Sequence, residues 1–146
     1  MLFDLPYGVV LAAHLTAMFS TITVVVVADT LGLLWFFGKL QTLSKPLLTW
    51  LHRLVMVGLF ISIITGAWMF STVSSFLLTQ PALYVKVGLV VALIINAYFI
   101  HHHMDLATKQ ASADLSLVTK RSLLIFGSIS TISWIGILIA SQFLGL

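Results

Sequence analysis

Four long runs of apolar residues dominate this chain, at about residues 6–37, 46–70, 81–103 and 121–144. Each run is as long as, or longer than, the roughly 20 residues that an α-helix needs to cross a bilayer. In lipid, every backbone N–H and C=O must find a partner within the protein, and a helix achieves this within one segment. The runs therefore predict an all-α integral membrane protein that folds as one transmembrane domain over residues 1–146.

Composition agrees with this interpretation and excludes several other classes of protein. Hydrophobic residues make up 60% of the chain and charged residues 8%, whereas soluble domains carry about 25% charged residues. We therefore expect the lipid bilayer to be the main partner. The absence of cysteine excludes disulfides, thiolate metal sites and iron–sulfur ligation. The net charge of +3 comes from residues at the ends of the apolar runs, so no nucleic-acid partner is expected.

The connections between the runs are short, which predicts antiparallel neighbours in an up-down-up-down bundle. The second connection has no Lys or Arg, whereas the first and third are flanked by Lys39, Lys45 and Arg53, and by Lys109, Lys120 and Arg121. Basic residues concentrate in cytoplasmic loops. We therefore expect a bacterial inner-membrane protein with both termini external. Because so little chain lies outside the spans, a homo-oligomer or a larger membrane complex is a further expectation.

Ionisable residues inside the spans are costly in lipid, and they usually face the bundle interior or mark a functional site. Their positions along the helices define two depths. The outer level contains His14 and Lys86. The inner level contains Asp29, His52, Arg53 and His101.

Helical periodicity, at about 100° per residue, predicts which of these side chains point inward. His14 and Asp29 both face the bundle from the first span. The second span has an inward stripe of His52, Met56, Leu59, Ile63 and Gly66. The glycine in this stripe allows close approach by a neighbouring helix or a flat ligand. The third span has a stripe of Lys86, Val90, Leu93, Ala97 and His101. The fourth span is predicted to offer a packing surface of small residues, Gly127, Ser128, Ser130, Thr131, Ser133 and Gly136.

Each polar residue also has a purely structural interpretation. Arg53 suits a snorkelling anchor at the cytoplasmic interface. Asp29 has two structural interpretations, a neutral residue or a residue paired with an arginine, for which Arg53 is the obvious partner. Lys86 is near enough to the interface to reach outward. His102 and His103, at a helix end, suit caps on the last carbonyls. His14 lies too deep for a cap, so the alternatives are a packing histidine bonded to a carbonyl or hydroxyl, or a ligand.

Paired histidines on facing helices are how bundles hold haem or a metal ion. His52 and His101 have this arrangement at the inner level. Without a CxxCH motif a haem would be non-covalent and b-type. A transition-metal site is the other possibility, with His14, His52 and His101 as candidate ligands and Asp29 as an additional one.

The order of features resembles that of small four-helix membrane proteins related to the HemJ-type protoporphyrinogen oxidase and the CopD-like family. The resemblance is carried by Ala13-His14-Leu15, by Leu51-His52-Arg53-Leu54 with Thr65-Gly66, and by the stretch Tyr84 to Val91 around Lys86. It covers roughly the first hundred residues. It implies haem b, with His14 and Lys86 at the positions of the family's first-helix histidine and third-helix lysine.

These observations together favour a protein that binds b-type haem within the bundle and has a redox or electron-transfer role. If it is an enzyme, we expect a haem-dependent oxidoreductase. Two ligand sets remain open, His14 with Lys86 nearby, or His52 with His101. The alternatives are a non-enzymatic membrane subunit, assembly factor or transport component, and a transition-metal protein.

Overall fold

The computed structural model describes residues 6–144, and for residues 101–104, 106 and 107 it describes the backbone alone. The main elements are four helices, α1 (Tyr7–Phe36), α2 (Lys45–Leu77), α3 (Pro81–Lys109) and α4 (Leu117–Phe143). A short 3₁₀ turn, Ser112–Asp114, precedes α4, and none of the described residues forms a strand. All four helices contain a segment long and apolar enough to cross a membrane. The predicted all-α, four-helix membrane bundle is confirmed.

Three helices extend beyond the predicted spans because a helix and an apolar run need not end together. α2 continues to Leu77, with non-helical backbone angles at Val73 (φ −131°, ψ 30°) just beyond its predicted end. α3 continues into a polar segment, where Lys109 pairs with Asp105 one turn earlier at 3.6 Å. α4 begins before its predicted start because the Ser116 hydroxyl accepts a hydrogen bond from the Thr119 backbone N–H at 3.2 Å.

The helices pack as two antiparallel hairpins, α1 with α2 and α3 with α4, and contact between the hairpins is much sparser. Within each hairpin, a glycine of one helix makes room for a side chain of its neighbour. The Thr21 side chain of α1 occupies the space that a Cβ at Gly58 of α2 would fill. In the other hairpin, a Cβ at Gly136 would come 2.7 Å from the Leu89 side chain. Such residues let membrane helices approach closely enough for dispersion contacts to hold them.

An apolar cluster in the middle of the bundle joins the two hairpins. Met18 of α1 and Leu59 of α2 pack there with Leu93 of α3 and with Trp134 and Ile137 of α4. The outward faces expose many large apolar side chains. In a membrane, these faces meet lipid, whose chains are as apolar as the side chains themselves.

The connection after α1 and the connection after α3 meet at one end of the bundle. The Trp35 indole N–H donates to the Gln110 carbonyl at 3.2 Å, and the Ser112 hydroxyl donates to the Phe36 carbonyl at 3.0 Å. Lys45 pairs with Asp105 at 3.7 Å across the same end. These contacts tie the two hairpins together where the basic flanks of the sequence gather.

Candidate functional site

Among the predicted ionisable residues whose side chains the structure describes, His14 is the most deeply buried, with 4% of its surface exposed. Its Nδ1 lies 2.7 Å from the Thr65 hydroxyl of α2. The same hydroxyl lies 2.7 Å from the Ile61 carbonyl. When its one proton is donated there, the ring nitrogen is the donor of the His14–Thr65 pair. A Cβ at Gly66 would lie 3.4 Å from His14 Cε1. The glycine therefore admits the histidine of a neighbouring helix to the α2 backbone.

Lys86 accompanies His14 in the same half of the bundle, as the sequence predicted. Its side chain is partly buried, and it lies within electrostatic range of the His14 ring. Among the described residues no carboxylate pairs with it. We call His14, Thr65 and Lys86 the His14 level.

A second polar level lies towards the other end of the bundle. Asp29 is roughly 22 Å from His14 along α1, at a rise of about 1.5 Å per residue. The Thr131 hydroxyl of α4 donates to Asp29 Oδ2 at 2.5 Å. Of the two structural interpretations of Asp29, the structure does not show the pairing with Arg53, since Asp29 is bonded to α4 and the Arg53 side chain is exposed. The exposed position of Arg53 agrees with the predicted role of a snorkelling anchor.

All four helices line a cavity of about 430 Å³ around Asp29. We call it the inter-hairpin cavity. It extends along α1 from Val25 to Phe36, and its walls are mostly apolar. The polar side chains in its lining are Asp29, His52, Asn96, Ser128, Ser130 and Thr131, together with the indoles of Trp35 and Trp134. His14 and Lys86 are not among the lining residues.

Asn96 and Trp134 are functional candidates that the sequence reasoning missed. They are 5% and 3% exposed. The Asn96 Nδ2 donates to the Phe126 carbonyl at 2.9 Å, but its Oδ1 and the Trp134 Nε1 have no partner among the described residues. The available signal was the spacing of Asn96 three residues after Leu93, which places it on the inward stripe of α3.

The predicted inward stripes agree with the structure on α3 better than on α2. On α3, Leu93 is buried and Lys86, Val90 and Ala97 are partly buried, as predicted. On α2, Met56 and Ile63 are 40% and 39% exposed. The buried side of α2 instead follows Val55, Leu59, Ser62, Gly66 and Met69.

The two predicted ligand sets, one with His14 and one with His52, lie in different parts of the bundle. His52 lines the inter-hairpin cavity, whereas His14 is packed elsewhere against α2. The side chain of His101, with those of His102 and His103, lies outside the described residues, so its pairing with His52 stays a prediction. Within the described part of the chain no three His, Asp or Glu residues are grouped to hold a metal ion.

Comparison of the chain with protein-family models, with curated proteins and with solved structures finds no match. The resemblance to the HemJ-type and CopD-like families therefore remains a prediction from short sequence patterns.

Proposed function

We propose that this integral membrane protein binds a small apolar molecule in the inter-hairpin cavity. The supporting observation is the cavity itself, which has a volume of about 430 Å³, is lined by all four helices and is partly open. Small-molecule sites have volumes of roughly 300–1,000 Å³, with apolar walls and a few polar groups that orient the ligand. Asp29 and His52 are such groups. A molecule dissolved in the lipid would enter between helices that pack sparsely.

A b-type haem is the specific ligand that the sequence favours, and it would give the protein a redox or electron-transfer role. The observation in favour of haem is His52 in the cavity lining, because b-type haem needs an axial nitrogen and apolar walls. The same geometry favours His52 over His14 as the ligand. Bound haem would supply one-electron chemistry at its iron. The described lining contains no Lys or Arg for the haem propionates, although Arg53 follows His52 directly.

An absorption spectrum of the purified protein, expressed with an adequate haem supply, tests this form of the proposal. We expect a Soret band that shifts on reduction, that is lost in His52→Ala and that persists in His14→Ala. Loss of the band in His14→Ala, but not in His52→Ala, would show that the axial ligand of the haem belongs to the His14 level. A colourless protein would exclude haem and would leave the binding of another apolar molecule to be tested directly.

We also propose that the connections after α1 and α3 face the cytoplasm of a bacterial cell and that both termini face outward. The basic residues Lys39, Lys45, Lys109 and Lys120, which gather at one end of the bundle, support this orientation. The same small protein could act without catalysis, as a subunit, assembly factor or transport component of a larger complex. The polar groups buried within its spans are the observation that favours such a role.

A further inference from the structure

Asp29 carries a carboxylate inside a membrane span and directs it into the gap between the two hairpins. It belongs to a stripe of α1 whose members all line the inter-hairpin cavity, Val25, Asp29, Gly32 and Phe36. Its Oδ2 accepts a hydrogen bond from the Thr131 hydroxyl of α4 at 2.5 Å. Because Thr131 belongs to the opposite hairpin, this bond holds the carboxylate across the gap.

The other carboxylate oxygen of Asp29, Oδ1, is available to a ligand. No donor among the described residues bonds to it. In a half-buried side chain such an oxygen is either fully buried without a partner or accessible, and Oδ1 is not one of the fully buried atoms without a partner. Oδ1 therefore keeps accessible surface on a side chain that lines the cavity.

No permanent positive charge among the described residues balances Asp29. The cavity lining contains no Lys or Arg, and the ion pairs in the described part of the chain involve Asp105 instead. His52 also lines the cavity, but an imidazole, unlike Lys or Arg, is mostly uncharged at neutral pH. Ionisable groups within membrane spans usually pair with one another or mark the path of a substrate or an ion. A positively charged ligand would supply the partner that Asp29 lacks.

The lining of the cavity decides between an inorganic and an organic cation. Ca²⁺ and Mg²⁺ take about six oxygen ligands or more, and transition metals need several nitrogen, sulfur or oxygen ligands. The described residues include no group of three His, Asp or Glu that could hold such an ion, and the cavity walls are mostly apolar. A cation with an apolar body suits both features, because its charge meets Asp29 while its body contacts the walls.

We infer that the inter-hairpin cavity binds an organic cation, an apolar molecule with one positive charge that pairs with Asp29. The inference rests on the proposed binding of an apolar molecule in this cavity, and it does not require that molecule to be haem. The cavity volume of about 430 Å³ lies within the range of roughly 300–1,000 Å³ that small-molecule sites occupy.

Three probes that share one apolar body test this inference in an uncharged detergent. They are the cation para-hexylphenyl-trimethylammonium, its neutral carbon isostere para-hexyl-tert-butylbenzene, and the anion para-hexylbenzenesulfonate. Each probe is tritium-labelled, and the measured quantity is its binding to the immobilised protein that excess unlabelled probe displaces. Because the detergent concentration is fixed, each probe partitions into micelles equally for every variant. Differences between variants therefore report the site.

Asp29→Asn removes the charge and nearly keeps the shape of the side chain. We expect it to weaken binding of the cation about 10-fold, the lower end of the effect that opposite charges exert on each other at about 4–6 Å. Binding of the neutral isostere should not change. Asp114→Asn is the matched control, because it removes the same charge from an exposed residue outside the cavity lining. It should change the binding of neither probe.

Suppose that Asp29→Asn leaves the cation affinity unchanged, or lowers it no more than the affinity for the neutral isostere. Either result would overturn the inference and leave the proposed binding function intact. If Asp29→Asn binds no probe, the wild-type protein decides: tighter binding of the cation than of the anion supports the inference, and equal or weaker binding overturns it. No displaceable binding of any probe to the wild type would overturn the inference together with the proposed binding of apolar molecules.

Discussion

At the scale of single residues, Gly58 is a glycine of α2 whose Cβ position is already occupied by a side chain of α1. A side chain there would collide with the Thr21 side chain, so in Gly58→Ala either Thr21 must leave its conformation or the two helices must move apart. We expect the free energy of unfolding to fall by about 1–3 kcal/mol, as for other overpacked sites. The measurement is unfolding in detergent, followed by the loss of helical circular dichroism.

Gly88→Ala is the control for this substitution. Gly88 also lies inside a transmembrane helix, but nothing is within 4 Å of a Cβ built there. Alanine is the better helix former by roughly 0.8–1.0 kcal/mol, so this variant should be as stable as the wild type or more so. Equal losses of stability in the two variants would contradict the packing role assigned to Gly58.

The burial of His14 could be predicted from the sequence, because one histidine inside a long apolar run has few other places to go. Its partner could not, since Thr65 is distant in the chain and the bond depends on how closely α2 approaches. Asp29 shows the same limit, because its partner, Thr131 of α4, lies far along the chain. Partner choice depends on distances between helices, which a pattern along one helix does not contain.

At the scale of the elements, α4 begins at a capped residue and α2 at an uncapped one. Ser116 accepts a hydrogen bond from the Thr119 backbone N–H, whereas Ser44 precedes α2 without a side-chain cap bond. Ser116→Ala should therefore lower the free energy of unfolding by about 1 kcal/mol, and Ser44→Ala should leave it nearly unchanged. Thermal unfolding of the two variants side by side measures the difference, and equal effects would contradict it.

Helix order and helix number could be predicted well because bilayer thickness imposes a minimum length on each apolar run. Helix ends were less predictable, because outside the lipid a cap or a charge pair can decide them. The Ser116 cap and the Asp105–Lys109 pair show this at the two ends of one connection. On α2 the helix continues past the end of the apolar run, and its backbone angles become non-helical at Val73 before it ends at Leu77.

At the scale of the whole molecule, the bundle is two hairpins with a cavity between them rather than four equally packed helices. Short connections predicted which helices are neighbours. They could not predict the cavity, because empty volume depends on how side chains from all four helices meet. The lining of the inter-hairpin cavity includes His52 but not His14. For this reason the proposed function uses the ligand set that contains His52.

The orientation of the whole bundle in the membrane is testable because the chain has no cysteine. Single cysteines can then report the side of each connection. Gln41 and Thr79 are exposed residues in the first and second connections, at opposite ends of the bundle. Since basic flanks stay in the cytoplasm, a membrane-impermeant maleimide should label Thr79→Cys in intact bacterial cells. It should label Gln41→Cys only after the cells are opened.

The opened cells serve as the control in this experiment, because both cysteines must react there if both are accessible. Labelling of Gln41→Cys, and not of Thr79→Cys, in intact cells would show that the bundle has the opposite orientation in the membrane. The inter-hairpin cavity would then lie in the outer half of the membrane and the His14 level in the cytoplasmic half. The contacts within each level would be unaffected, so the binding proposal would stand while the side nearest its ligand would change.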